Sequence, residues 1–227
     1  MAEGRIDASL TTYLRSIIQT IAWFVLVLAG HYTLEEKCHD YWHPLFASIK
    51  PGKISFFSPA ATRLLLCEPS EGFRLTYTFY TIEEVVRLSN GQPYLVQLIC
   101  QNLVTRCNRQ VFELGQDSEQ PISLDDLQAV IDSPHFFQDG SPSFKGIWMQ
   151  AVDLPHGQQA ILKALALESK DLQQLVAATG LSKDAAKEAL RTLTADDVVQ
   201  RRPDDQRYGF TVELMRRWVR YTNMQPQ

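Results

Sequence analysis

Apolar residues at Leu10, Tyr13, Leu14, Ile17, Ile18 and Ile21 recur at the three- and four-residue spacing of a helix that buries one face. Ser9 is the expected N-cap of that helix. The rhythm then changes. Phe24 to Ala29 (FVLVLA) is an unbroken apolar run stopped by Gly30, the pattern of a central parallel strand covered on both faces. Thr33-Leu-Glu-Glu predicts a capped helix start leading to Tyr41 and Trp42. A second short strand is expected over Ile54–Phe57, and Ser58-Pro59 opens a helix through about Cys67. Helical periodicity continues over Thr81–Ser89, Pro93–Arg109, Ser123–Asp132 and Phe144–Val152, with a polar loop at Gly115–Gln120 and a break at Pro134–Pro142.

The last 75 or so residues have a different rhythm. Gln158–Leu167, Asp171–Thr179 and Lys183–Thr194 read as three helices, the second and third joined by Gly180-Leu181-Ser182. Val198–Arg202 and Tyr208–Val212 read as short strands around the polar turn Pro203-Asp-Asp-Gln206, and Glu213–Thr222 as a closing helix. Three helices followed by a hairpin predict a winged helix-turn-helix.

Composition narrows this little. The chain has 227 residues, 45% hydrophobic and 21% charged, ordinary values for a globular protein. A net charge of −4 argues against a generic nucleic-acid coat. The four cysteines, at 38, 67, 100 and 107, form no CxxC pair and read as reduced thiols, with Cys100 and Cys107 on one helix. The apolar run from Ile17 to Gly30 is too short for a transmembrane helix, which needs roughly 20 residues. A cytoplasmic chain without membrane contact is expected.

Three stretches carry a family resemblance. GRIDASLTTYLRSIIQTIAWFVLVLAGHYTLEE resembles the segment of STAND-type (NACHT/NB-ARC-like) and related AAA-like ATPases that runs from after the Walker B acidic pair through sensor 1. ISFFSPAATRLLLCEP resembles their last core strand and first lid helix, and EEVVRLSNGQPYLVQLICQNLV the lid segment with its G-x-P motif. The resemblance implies a mainly α chain with a small α/β remnant: a partial P-loop ATPase core over 1–58, a helical lid over 59–133, a linker and connecting helix over 134–152, and a winged helix over 153–227. It further implies ATP and Mg in the intact family.

The sequence also departs from that family. A phosphate cradle needs G-x-x-x-x-G-K-[ST], and no such string occurs; Gly52-Lys53 lacks both the earlier glycine and the following Ser or Thr. No apolar strand ends in an acidic pair suited to Mg²⁺. A truncated ATPase with no hydrolysis site or cofactor of its own is therefore expected, completed by a protein partner or a missing N-terminal segment. The resemblance places the sensor strand between two strands that this chain lacks. Phe24 to Leu28 would then lose roughly 1.5–3 kcal/mol of burial each.

By resemblance Pro93, with Gly91, lies against the adenine, although a glycine turn before a first-turn proline is also a plain helix start. His31, after the expected strand, is placed as a γ-phosphate sensor or as a simple loop histidine, with Thr33 a weaker alternative. His39 and His43, with Cys38 and Asp40 nearby, lack a third ligand at a telling distance, so no metal is expected. No string suits a catalytic nucleophile, and no catalytic residue is assigned. Lys183, Lys187 and Arg191 would form a basic stripe, joined by Arg201 and Arg202 on the hairpin. Asp184, Glu188, Asp196, Asp197, Asp204 and Asp205 interrupt it, so a protein or intramolecular contact is expected ahead of DNA. Arg216, Arg217 and Arg220 read as a solvated face.

Overall fold

The computed structural model describes residues 8–27, 52, 54–73, 75–113, 115, 120–152 and 155–224. They fall into two compact units, residues 1–54 and 55–227. In the first unit, helix α1 spans Ala8–Thr20. It begins one residue earlier than expected, so Ser9 lies inside the helix rather than capping it. The chain turns through the Phe24 N–H, which donates to the Ile21 carbonyl at 3.0 Å. Residues 24–27 then run without a strand partner among the described residues, and Val25 and Val27 are 82% and 83% exposed. The strand expected over Phe24–Ala29 is not formed at 24–27, and its last two residues lie outside the described set. A strand exists only by exchanging backbone hydrogen bonds with a neighbour.

The second unit is mainly helical. Helix α2 (Pro59–Cys67) starts where Ser-Pro predicts: the Ser58 hydroxyl accepts from the Ala61 N–H at 3.1 Å. Helices α3 (Phe79–Ser89) and α4 (Pro93–Phe112) form the next pair. Helix α5 (Leu124–Ile131) carries a reciprocal capping box between Ser123 and Asp126. Its lead-in is tied down by a single parallel bridge, in which Ile122 N–H donates to Thr76 O at 2.8 Å and Ile122 O accepts from Thr78 N–H at 3.0 Å. The buried Thr81 hydroxyl donates to the same Ile122 carbonyl at 3.0 Å. The second expected strand, Ile54–Phe57, does not form either, and among the described residues Phe57 makes one backbone bond, described below.

The expected break at Pro134–Pro142 is helical instead. Helices α6 (Pro134–Asp139) and α7 (Ser141–Gln150) fill it, with prolines in their first turns, where the missing N–H leaves no bond unmade. Phe136 and Phe144 are fully buried. Beyond them, α8 (Gln158–Leu167), α9 (Leu172–Thr179) and α10 (Lys183–Ala195) follow the sequence pattern closely. Gly180 ends α9 at φ +70°, a left-handed conformation that glycine adopts without strain. Strands β1 (Val199–Arg201) and β2 (Tyr208–Phe210) pair antiparallel, Val199 opposite Phe210 and Arg201 opposite Tyr208. Helix α11 (Glu213–Met224) closes the chain.

One connected core joins α2 through α11. Helix α11 buries Leu214, Met215, Trp218 and Val219 and packs on α8. The Trp218 ring stacks on Phe144 with centroids 5.8 Å apart and meets Trp148 edge-on at 6.0 Å, while Tyr221 stacks on Phe137 at 5.5 Å. These aromatic pairs fasten α11 to α6 and α7, adding about 0.5–1.5 kcal/mol each beyond area burial. Among the described residues no helix is long and apolar enough to cross a membrane.

Candidate functional site

The best-formed candidate is the turn Asn90–Pro93. Asn90 ends α3 at φ +48° and Gly91 follows at φ +73°. A Cβ at position 91 would lie 2.2 Å from the Phe57 carbonyl oxygen and 3.2 Å from the Thr62 hydroxyl. Only glycine fits both the conformation and the space. The gap is used by the backbone: Phe57 N–H donates to Gly91 O at 2.8 Å. Beneath it the buried Ser89 hydroxyl donates to Val85 O at 2.8 Å and accepts from Gly91 N–H at 3.2 Å. The Gln92 side chain accepts from Leu95 N–H at 2.7 Å, and half-buried Pro93 opens α4.

Gly91 and Pro93 therefore stand where residue 57 and helices α3 and α4 converge. This geometry gives Gly91 a packing reason of its own. Two clefts of about 350 and 370 Å³ lie elsewhere, one beside Phe137, Arg217 and Tyr221, the other beside Tyr94, Gln101 and Asp139. Gly91 and Pro93 line neither of them. His31 lies outside the described residues, as do Thr33, Cys38, His39, Asp40 and His43. No group of three His, Cys, Asp or Glu side chains is placed to hold a metal among the described residues.

Lys183, Lys187 and Arg191 are exposed on α10, and Arg201 and Arg202 are exposed on the hairpin. Arg191 donates to Glu188 at 2.7 Å, and Arg201 lies over the Tyr208 ring at 5.8 Å. Asp184, Asp204 and Asp205 are exposed beside them. The face mixes both signs, without the one-sided positive field that phosphate binding uses. DNA binding gains no support from it. Half-buried Cys100 has its thiol pushed up to about 11 by burial, so at neutral pH it is a packed thiol rather than a nucleophile.

Sequence reasoning missed a charged seam. Arg87 makes two bonds to Glu84, at 2.6 and 2.7 Å, on α3. On α11, Arg216 grips Glu213 with both nitrogens, at 2.8 and 2.5 Å, and donates to Ala166 O at 3.2 Å; Arg217 lies 3.6 Å from Glu213. Burial pushes the Glu213 carboxyl up, but the Arg216 hydrogen bonds and the charges of Arg216, Arg217 and Arg87 outweigh it and hold it below the usual range. Arg216 and Arg217 are thus engaged with acids rather than forming the expected solvated face. The i,i+3 spacing of Glu84–Arg87 and Glu213–Arg216 was the available signal.

No family profile matches the sequence, and no curated protein does. The fold does have a counterpart. A solved Walker-type ATPase of Pyrococcus abyssi is similar to 96% of this chain, with 16% sequence identity and a TM-score of 0.62. The chain spans 59% of that ATPase. At this identity the likeness is one of fold: a P-loop ATPase-like architecture, here mainly helical with a two-stranded sheet among the described residues.

Proposed function

We propose that the chain is the regulatory part of a STAND-type nucleotide switch, acting through a helical lid and a winged helix. The observation that carries this reading is the fold likeness to a Walker-type ATPase across 96% of the chain. In it, α2 to α5 are the lid and α8 to α11 with the hairpin are the winged helix. The antiparallel bridge between Lys170 and Tyr208, two backbone bonds of 3.1 and 2.8 Å, supports the latter assignment. It supplies a third short extended segment beside β2, between the first and second helices of the module.

Gly91 and Pro93 meet the nucleotide base in this reading, and His31 is carried as the phosphate-side candidate. ATP and Mg would be held by a phosphate-binding segment outside the 227 residues, in the same polypeptide or another, because no Walker A string occurs within them. The chain then has no hydrolysis of its own. Nucleotide exchange shifts the lid between two arrangements by binding one of them better. The mixed-charge face of α10 suits a protein or intramolecular contact.

Calorimetric titration with ATP and ADP tests this, on the 227-residue chain and on the chain joined to a P-loop-bearing segment. The expected result is binding only by the joined form, weakened by Pro93→Ala. Binding by the 227 residues alone, or by neither form, overturns the reading.

A further inference from the structure

Between the end of α5, the start of α6 and the outer turns of α11 lies a cleft of about 350 Å³. Ile131, Pro134, Phe137 and Tyr221 give it an apolar lining, and Phe137 stacks on Tyr221 with ring centroids 5.5 Å apart. Asp132, Ser133 and Arg217 bring polar groups to the same space. Arg217 is the least satisfied of them. Its Nε lies 3.6 Å from Glu213, too far for a hydrogen bond, and neither terminal nitrogen bonds to a described residue. Arg216 beside it directs its donors at Glu213 and at the Ala166 carbonyl. A guanidinium keeps its charge at any working pH, and its terminal N–H groups form a rigid fork that matches a carboxylate. The half-buried Ser133 hydroxyl makes no cap bond to α6.

We propose that this cleft binds a small monocarboxylate with a flat apolar body. The carboxylate bridges the two terminal nitrogens of Arg217, and the body lies against Phe137 and Tyr221. Volume and lining suit such a ligand, since small-molecule sites are mostly apolar with a few placed polar groups. Charge selects one carboxylate over a phosphate ester. Asp132 lines the cleft and Glu213 stands beside Arg217, so a dianion would meet two acids with one cation to offset them. A neutral molecule of the same shape would leave the Arg217 fork unused. A bound ligand would tie the α5–α6 junction to α11 and so stabilise the last helix where it leaves the core. Gly91 and Pro93 do not line this cleft, so the proposal stands apart from the nucleotide reading.

The test is a nuclear magnetic resonance titration of the 227-residue chain with phenylacetate, following the ring signals of Tyr221. Benzyl alcohol serves as the neutral comparator and phenyl phosphate, above its second pKa of about 6, as the dianion. The expected result is a saturable shift at Tyr221 with phenylacetate, and weaker binding of both comparators. Arg217→Gln should weaken phenylacetate about ten- to hundredfold, the scale of hydrogen bonds to a charged group. Arg217→Lys, which keeps the charge without the fork, should fall between. Arg220→Gln removes an exposed charge of the same helix that does not line the cleft, and should bind as wild type. No shift at Tyr221 overturns the proposal, as does binding that survives Arg217→Gln. Equal or tighter binding of benzyl alcohol or phenyl phosphate overturns it on the wild-type chain alone, whatever the variants do.

Discussion

Val25, in the apolar run FVLVLA, and Val199, in a valine pair between Asp197 and Gln200, meet opposite fates: the first is 82% exposed, the second 1%. Both belong to stretches whose composition favours a strand. Val199 pairs across β1 and β2 with Phe210 and sits in the core shared with α8, α10 and α11. Val25 has no ladder partner among the described residues. The contrast teaches that β-propensity is a readiness, realised only where another segment offers backbone groups and a covering face. Helix α1, which satisfies its own backbone, forms in the same region without that help.

The comparison breaks hardest where covering is densest. Trp218→Ala removes the ring that stacks on Phe144 and meets Trp148, at a site 4% exposed. The expected loss is about 3–5 kcal/mol, the usual cost of truncating a buried large aromatic. Urea denaturation followed by far-ultraviolet dichroism measures it. A loss under ~1 kcal/mol would mean that the aromatic cluster is not the fastening it is taken to be.

Gly91→Ala tests a backbone approach instead of a side-chain packing. The added methyl would meet Phe57 O, and the left-handed conformation adds strain of about 1–3 kcal/mol. The expected outcome is that loss in urea denaturation, with faster hydrogen exchange at the Phe57 amide, whose partner is Gly91 O. Wild-type stability would mean that residue 57 is not held by this turn.

How far these features could be read from the sequence depends on how local their causes are. Ser58-Pro59, Asp171, Gly180 and Ser182 announce helix ends through groups a few residues apart, and the helices start and stop there. Pro134 and Pro142 misled because a proline marks a helix start as readily as a break; the burial of Phe136 and Phe144 decides between them, and burial is not local. The expected strands did not form at 24–27 and 54–57 for the same reason, since their partners would have to come from far along the chain or outside it. At the candidate site the Gly91-Gln92-Pro93 pattern was visible in the sequence. The reason for the glycine was not, because Phe57 lies 34 positions earlier. The ion pairs Glu84–Arg87 and Glu213–Arg216 had a local signal, an i,i+3 spacing within one helix, that went unread.

Ile122 lies between the two extremes, 5% exposed but tied by a single-residue bridge. Its segment leads into the Ser123–Asp126 capping box, so the cap bears on it directly. Burial pushes the Asp126 carboxyl up, but hydrogen bonds from Ser123, Arg106 and Gln110 outweigh it and hold it below its ordinary value of 3.8. A carboxyl lowered in the folded state stabilises above that ordinary value, and the contribution fades as pH falls below it toward the folded value. Asp126→Ala should cost about 1 kcal/mol at pH 7. Thermal melts against pH should show wild type and variant converging below pH about 3.8, as the carboxyl takes up its proton. A gap that stays constant with pH would assign the effect to packing rather than to the charge.

The smallest effect is expected at the other pole of the comparison. Val25→Thr with Val27→Thr keeps β-branched shape while making an exposed apolar run polar. In the chain alone these side chains bury little, so the pair should change stability by no more than about 0.5 kcal/mol. Val199→Thr, which adds the same hydroxyl at a buried site, should cost about 1–3 kcal/mol if that hydroxyl finds no partner. Exposed strand-prone runs also invite edge pairing between molecules. The double variant should therefore remain monomeric in sedimentation at concentrations where the parent self-associates. If both chains unfold alike and sediment alike, Val25 and Val27 are inert surface. If the double variant instead loses stability on the scale of Val199→Thr, the run is covered in solution, and the contrast between the two valines fails at its exposed end.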